Sequence, residues 1–346
     1  MNTEKHMRRC FELAAKGLGS VAPNPMVGCV ITKDNQVIAE GFHVKYGEAH
    51  AEVNAINQLP SDFNFSDATL YVNLEPCAHQ GKTPPCADLI INKKFKKVVV
   101  CNVDTNPLVG GKGIEKLRNA GIETVTGVLE NEGRELNKRF FTFHELKRPY
   151  IILKWAQTAN GFICRKPLSD IKEDNWITGE YSKKLVHQWR AQEQGIMVGT
   201  NTVVNDDPEL TVRLVEGKNP VRIILDKDLK LSSDLAVFNN KARTIVFTEQ
   251  NKDNSGNVTY YKINFNDKIQ DSVLNHLHHE GISSVIIEGG AKLLHSVIEQ
   301  NCWDEMRIFV NPELNFKNGI SAPKIKLPES FELSGKDKLY QIKNPH

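Results

Sequence analysis

Short apolar runs separated by polar turns set the rhythm of this chain. Val27 to Thr32 reads as a buried strand, Lys33 to Asn35 as its turn and Gln36 to Ala39 as the returning strand. From Ala49 to Leu59 the spacing changes, and Val53, Ile56 and Leu59 fall on one side of a helix. Thr69 to Leu74 is a further strand that ends at Glu75 and Pro76. Cys86 to Ile91 opens a helix directly after two prolines, a favoured helix start. Val98 to Cys101 is again a strand, and Glu132 to His144 has the spacing of one continuous helix. Leu146 to Pro149 breaks the pattern. Beyond it, strands are expected at Tyr150 to Trp155, Ile196 to Gly199, Val221 to Asp226, Thr244 to Phe247 and Ser284 to Glu288. The last runs into Gly289, Gly290 and a helix that reaches Ile298. Apolar runs alternating with helical patterns predict a mostly parallel sheet covered by helices. The chain is thus expected to be α/β, with two domains divided near residues 146 to 149. A length of 346 residues fits that division.

Composition adds mainly exclusions. With 40% hydrophobic and 25% charged residues and a net charge of +2, the chain reads as an ordinary soluble protein. The balanced charge argues against a large nucleic-acid-binding face. The best basic patch, Lys93, Lys94, Lys96 and Lys97, directly precedes a strand and reads as a solvated loop. No apolar run is long enough to span a bilayer, and no signal peptide is apparent. Seven cysteines, an odd number, suit a reducing cytoplasmic setting better than a disulfide framework.

The chemistry concentrates in His50, Glu52, Cys77 and Cys86. One imidazole and two thiols supply three ligands for a tetrahedral zinc, leaving one open position where water can ionise near neutral pH. Glu52 is a spare carboxylate suited to carry protons. Zinc deaminases use this set, with a glutamate that is not a ligand as general acid and base. Their usual closure is P-C-x-x-C, whereas eight residues separate Cys77 from Cys86 here. A closed structural zinc site with His79 as fourth ligand is the alternative, as is a merely buried cysteine pair. Both His50 and Cys86 fall at predicted helix N-termini, whose partial positive charge favours thiolate over thiol.

At this point the chain resembles a known family, the bifunctional deaminase–reductases of riboflavin biosynthesis. In the first half the resemblance rests on Ala22 to Gly28, Gly41 to His43, His50 to Glu52, Pro76 to Cys86, Asp104 to Pro107 and Gly110 to Gly113. The long spacing between the two cysteines is the one this family uses. The resemblance implies a cytidine-deaminase-like α/β/α domain over 1–146 and a dihydrofolate-reductase-like α/β domain over 149–346. It implies zinc on His50, Cys77 and Cys86, with Glu52 catalytic. It places Asn24, His43, His79, Lys82, Asp104 and Asn106 against a phosphoribosyl pyrimidine. Thr105 stands where the family usually has proline.

In the second half the matching stretches are Leu153 to Ala156, Trp176 to Gly179, His187 to Ala191, Val198 to Thr200, Thr202 to Val203, Asp206 to Arg213 and Glu288 to Gly290. By resemblance, Lys154, Asp174, Arg190, Leu210, Arg213 and Glu288 face the substrate. Ala156, Trp176, Thr178, Thr202, Asp206 and Gly290 face NADPH. The implied function is zinc-dependent hydrolytic deamination of 2,5-diamino-6-(5-phosphoribosylamino)pyrimidin-4-one, then NADPH-dependent reduction of the ribosyl group to ribityl. Small-molecule substrates, no nucleic acid, no membrane and a cytoplasmic homo-oligomer (dimer or tetramer) are expected. Two departures stand out: Asn160 replaces the usual aspartate of a turn, and Asp174 replaces a common serine. The competing reading keeps the deaminase and makes the second half only a binder of the phosphoribosyl intermediate.

Overall fold

A computed structural model describes residues 2–78, 84–106, 110–169 and 171–345, without the side chains of residues 172 and 173. The chain forms two compact units, Met1–Lys147 and Arg148–His346.

The first unit contains α1 (Asn2–Ala15), β1 (Gly28–Lys33), β2 (Gln36–Phe42), α2 (Ala51–Ile56), β3 (Ala68–Leu74), α3 (Cys86–Asn92), β4 (Lys97–Asn102), α4 (Lys112–Asn119), β5 (Glu123–Thr126), α5 (Glu130–Leu136) and α6 (Lys138–Glu145). Its sheet runs in the order β2-β1-β3-β4-β5. β1 is antiparallel to both neighbours, and β3, β4 and β5 are parallel. The inner strands β1, β3 and β4 are mostly apolar on both faces because helices cover both. The alternation of a strand decides which helix each residue meets. Cys29, Ile31, Leu70, Val72, Val98 and Val100 pack with Ala51, Ala55, Ile90 and Leu117, from α2, α3 and α4. Val30, Tyr71, Val99 and Cys101 pack with Met7, Cys10 and Leu13 of α1 on the other face. The result is the expected α/β/α arrangement.

Two motif glycines have a steric explanation. A Cβ on Gly28 would lie 2.1 Å from the carbonyl oxygen of Cys10, where α1 crosses β1. One on Gly41 would lie 2.4 Å from that of Ala51, where α2 crosses β2. Only glycine lets these helices approach the sheet so closely.

The single helix expected over 132–144 is two, with Asn137 at the break. Its side chain is buried and pairs with the backbone of Met26: Met26 N–H donates to Oδ1 at 2.8 Å, and Nδ2 donates to Met26 O at 2.9 Å. That tertiary bond outweighs helix continuity. The helix expected over 49–59 is shorter, ending at Ile56.

The second unit contains β6 (Tyr150–Thr158), β7 (Phe162–Arg165), α7 (Glu180–Gln192), β8 (Gly195–Gly199), α8 (Thr200–Asp206), β9 (Val221–Leu225), β10 (Thr244–Thr248), β11 (Val258–Lys262), α9 (Asn275–His279), β12 (Ser284–Glu288), α10 (Ala291–Glu299), β13 (Glu305–Asn311), β14 (Gly319–Ser321), β15 (Glu332–Ser334) and β16 (Asp337–Lys343). The main sheet runs β11-β10-β9-β8-β12-β6-β13-β16-β15. It is parallel from β11 to β13, as expected. The last two strands are antiparallel and went unrecognised in the sequence. One face packs with Leu293, Leu294 and Val297 of α10 and the other with Val186 and Trp189 of α7.

Two candidate active sites

The first site lies where α2 and α3 begin. His50 is the N-cap of α2, Glu52 sits in its first turn, and Cys86 is the first residue of α3. Cys77 follows the Glu75–Pro76 turn that leaves β3. The metal-capable atoms of His50, Cys77 and Cys86 lie within 4.8 Å of one another. His50 Nδ1 is 3.6 Å from Cys77 Sγ and 3.3 Å from Cys86 Sγ. Ordinary zinc bonds, about 2.1 Å to nitrogen and about 2.3 Å to sulfur, put tetrahedral ligands about 3.6 Å apart. The cluster therefore fits a zinc ion with little adjustment, and its donor set is the right one.

Electrostatics agree. The Cys77 thiol is pulled well down, first by its hydrogen bond with the Cys86 thiol and then by His50 and the Cys86 N–H, against burial. Cys86 is held up by that same Cys77 interaction and by burial. A cation held between the sulfurs would favour the thiolate form of both. Glu52 is buried, and burial pushes its carboxyl up to about 7, with Cys77 adding to the effect. A carboxyl poised near neutrality suits proton transfer in both directions.

Among the described residues no fourth histidine, cysteine or carboxylate joins the set. His43 stands nearby, its ring 5.5 Å from that of His50. Its nitrogens are engaged otherwise: Nδ1 lies 3.1 Å from Ala49 O and Nε2 3.2 Å from Asn24 Nδ2. With Nδ1–H donating to the carbonyl, Nε2 accepts from Asn24. Burial lowers the His43 pKa, the direction that favours the neutral ring of this pattern. His79, the alternative fourth ligand, and Lys82 lie outside the described residues.

Asn24 and His43 bond each other side chain to side chain, and backbone groups hold the segments that carry them and Asp104. Asn73 Oδ1 accepts from Gly28 N–H at 2.7 Å and its Nδ2 donates to Met26 O at 2.9 Å. With Asn137, it fixes the 22–28 loop that carries Asn24. Asp104 Oδ1 accepts from Asn106 N–H at 2.7 Å. Burial raises the Asp104 carboxyl to about 6. Thr105 Oγ1 is buried and finds no hydrogen-bond partner among the described residues. Asn73 and Asn137 were missed in the sequence. An asparagine inside an otherwise apolar strand was the available signal for the first.

The second site is a cavity of about 1090 Å³ in the second unit, at the carboxyl ends of β6, β8, β9 and β12. Parallel α/β sheets bind ligands there. Lys154, Ala156, Trp176, Thr178, Arg190, Thr202, Asp206, Leu210, Glu288 and Gly290 all line it. Gly289 and Gly290 have φ of +83° and +79°, which suits glycine, and they lead into α10. A Cβ on Gly290 would lie 3.2 Å from Thr202 Oγ1.

At the cavity wall Arg190 grips Glu288 with two bonds of 2.8 and 2.7 Å, and Lys154 Nζ stands 3.6 Å from the same carboxylate. Burial alone would raise the Glu288 carboxyl. The charges of Arg190 and Lys154 outweigh it and hold it at about 2. Burial lowers the Lys154 ammonium, and Glu288 only partly offsets this. Asp174 and Arg213 do not line the cavity. Both are exposed. Asp174 accepts from Ser169 Oγ at 3.1 Å, and Arg213 pairs with Glu209 at 3.3 Å. Asn160 keeps its turn: Oδ1 accepts from Thr158 Oγ1 at 2.7 Å, and Nδ2 donates to Phe316 O at 2.8 Å. A carboxylate could not make the second bond.

Known proteins match both units. Residues 1–102 match the family described as the cytidine and deoxycytidylate deaminase zinc-binding region, and residues 149–314 match the RibD C-terminal domain. The chain is 42% identical over 319 residues to the riboflavin biosynthesis protein RibD of Aquifex aeolicus, covering 90% of this chain and 87% of the relative. It is 40% identical to that of Bacillus amyloliquefaciens, over 95% and 89% of the two chains. A crystal structure of a diaminohydroxyphosphoribosylaminopyrimidine deaminase/5-amino-6-(5-phosphoribosylamino)uracil reductase from Thermotoga maritima superposes with a TM-score of 0.88. It is 39% identical and covers 99% of this chain and 98% of that one.

Proposed function

The chain belongs to the family of bifunctional riboflavin biosynthesis deaminase–reductases, and on that premise we propose how its residues share the work. It is an enzyme with a zinc-dependent deaminase half and an NADPH-dependent reductase half. The observation that carries the first assignment is the His50, Cys77 and Cys86 cluster with an unligated, buried Glu52 two residues from the histidine. His50, Cys77 and Cys86 would hold the metal, and zinc bound there supplies the Lewis acidity that makes water a nucleophile near neutral pH. Glu52 takes a proton from the attacking water and delivers it to the departing amine, so that water is consumed and ammonia released. Asn24, His43, Asp104 and Asn106 hold the pyrimidine ring edge, with His79 and Lys82 proposed from the sequence alone.

In the second unit Lys154, Arg190 and Glu288 form a charged wall for the ribose phosphate, and Leu210 closes it. Ala156, Trp176, Thr178, Thr202, Asp206 and the Gly290 turn would seat NADPH, whose hydride goes to C1′ of the sugar. Free N–H groups at the α10 start suit a cofactor phosphate. Asp174 and Arg213, outside the cavity, are proposed as substrate residues from the resemblance alone. A second half that merely binds the intermediate is not favoured, because it belongs to the same reductase-bearing family. No helix among the described residues is long and apolar enough to cross a membrane. A cytoplasmic location and a homo-oligomer, dimer or tetramer, are proposed; exposed Tyr181 and Leu333, the latter on edge strand β15, bear on the oligomer alone. The test supplies the purified chain with the diaminopyrimidine substrate and NADPH. Ammonia release followed by NADPH oxidation is expected, and ammonia without oxidation would sink the reductase assignment.

A further inference from the structure

Glu75 is a buried carboxylate that the proposed chemistry leaves without a task. It stands between the end of β3 and the Pro76–Cys77 segment. Its Oε2 accepts from the N–H of Asp104 at 3.1 Å and of Gly111 at 2.9 Å. Its Oε1 accepts from Gly113 at 2.8 Å and Ile114 at 3.2 Å. One side chain thus satisfies backbone donors at both described ends of the loop joining β4 to α4. The last two are first-turn helix donors that lack intrahelical partners, and Gly111, the N-cap, has no side chain to serve them. A carboxylate also suits the positive end of a helix. Capping explains that half of the set. It does not explain the bond to Asp104, at the far end of the loop.

The same turn touches the loop a second time. A Cβ on Gly113 would lie 2.0 Å from the carbonyl oxygen of Pro76, so α4 begins in direct contact with the residue before Cys77. Asp104 in turn accepts from Asn106 N–H. A continuous chain of bonds therefore runs from the metal-ligand segment to both candidate substrate residues.

We infer that Glu75 is a positioning residue for deamination: its carboxylate sets Asp104 and Asn106 at a fixed distance from the His50, Cys77 and Cys86 cluster. This rests on the reading that Asp104 and Asn106 face the pyrimidine. Glu75→Gln tests it, because an amide keeps the size but turns an NH2 group toward two N–H donors. In the full chain with zinc, the expected result is a deaminase KM raised about tenfold or more with kcat within about threefold, the signature of lost substrate placement. Zinc stays at one per chain, and the reductase rate on deaminated substrate is unchanged.

Asn106→Ala, measured alongside, separates the two ideas. If Asn106→Ala leaves KM unaltered, the reading of the substrate loop fails. If Asn106→Ala raises KM and Glu75→Gln does not, the positioning role fails. Loss of zinc from Glu75→Gln also overturns it, since Glu75 would then be supporting the metal site itself. Should that variant not fold, amide hydrogen exchange on the wild-type chain decides. Slow exchange at Asp104, Gly111, Gly113 and Ile114 is expected, and fast exchange overturns the inference.

Discussion

Arg190→Met is expected to destabilise the second unit severely and in a pH-dependent way. The change deletes both short bonds to Glu288 and leaves Lys154, at 3.6 Å, as the remaining partner of a buried carboxylate. Two routes give the size. Breaking a buried ion pair by removing one partner costs about 3–5 kcal/mol. Independently, Glu288 is held at about 2 instead of 4.5, a difference corresponding to about 3 kcal/mol. The folded value lies below the unfolded one, so this stabilisation is complete above pH 4.5 and is lost as pH falls toward 2. The gap between wild type and variant should therefore be widest at neutral pH and shrink by pH 3. All four tryptophans, at 155, 176, 189 and 303, lie in the second unit, so urea unfolding followed by tryptophan fluorescence reports on it alone. Adding Glu288→Gln to the variant should restore about 1–2 kcal/mol, because the stranded charge disappears. A loss under about 1 kcal/mol at pH 7, or a gap that does not change with pH, would mean that Arg190 does not hold the Glu288 charge in the folded unit.

His187 gives a second pH signature in the same unit. Burial first, then Arg190 and Arg213, lower it from 6.5 to about 4, and its Nδ1 accepts from Arg213 N–H at 3.1 Å. The unfolded chain takes up that proton first, so stability should fall by up to about 3 kcal/mol between pH 6.5 and 4. His187→Asn, which keeps an acceptor but does not titrate, should flatten that slope; an unchanged slope contradicts the assignment. Glu52→Gln should lower deaminase kcat by about 10²- to 10⁴-fold, with zinc retained and NADPH oxidation on deaminated substrate intact. A variant with wild-type ammonia release would remove Glu52 from the mechanism.

The metal cluster was legible because short-range signals carry it. The His-x-Glu spacing, two prolines before Cys86 and the strand ending at Glu75 each point to a helix start or strand end, and those ends meet. The parallel strands of the second unit were legible as unbroken apolar runs. What escaped depends on partners far along the chain. Asn137 breaks its helix for Met26, and nothing local announces that bond. β13 carries Arg307 in its middle, a poor strand signal until its ion pair with Glu305 at 2.7 Å and its place over the Trp189 ring are seen. Glu75 read as the end of a strand, yet its carboxylate gathers the N–H groups of Asp104, Gly111, Gly113 and Ile114. Asp174 and Arg213 came from resemblance alone, and the structure leaves both at the surface with local partners.

X-ray absorption at the zinc edge of the purified full chain reads the ligands of the metal held by His50, Cys77 and Cys86. One zinc per chain is expected, with two sulfur and one imidazole neighbours and a fourth, lighter ligand that is not a protein side chain. A metal-free chain, or a zinc closed by a fourth protein side chain, would contradict it.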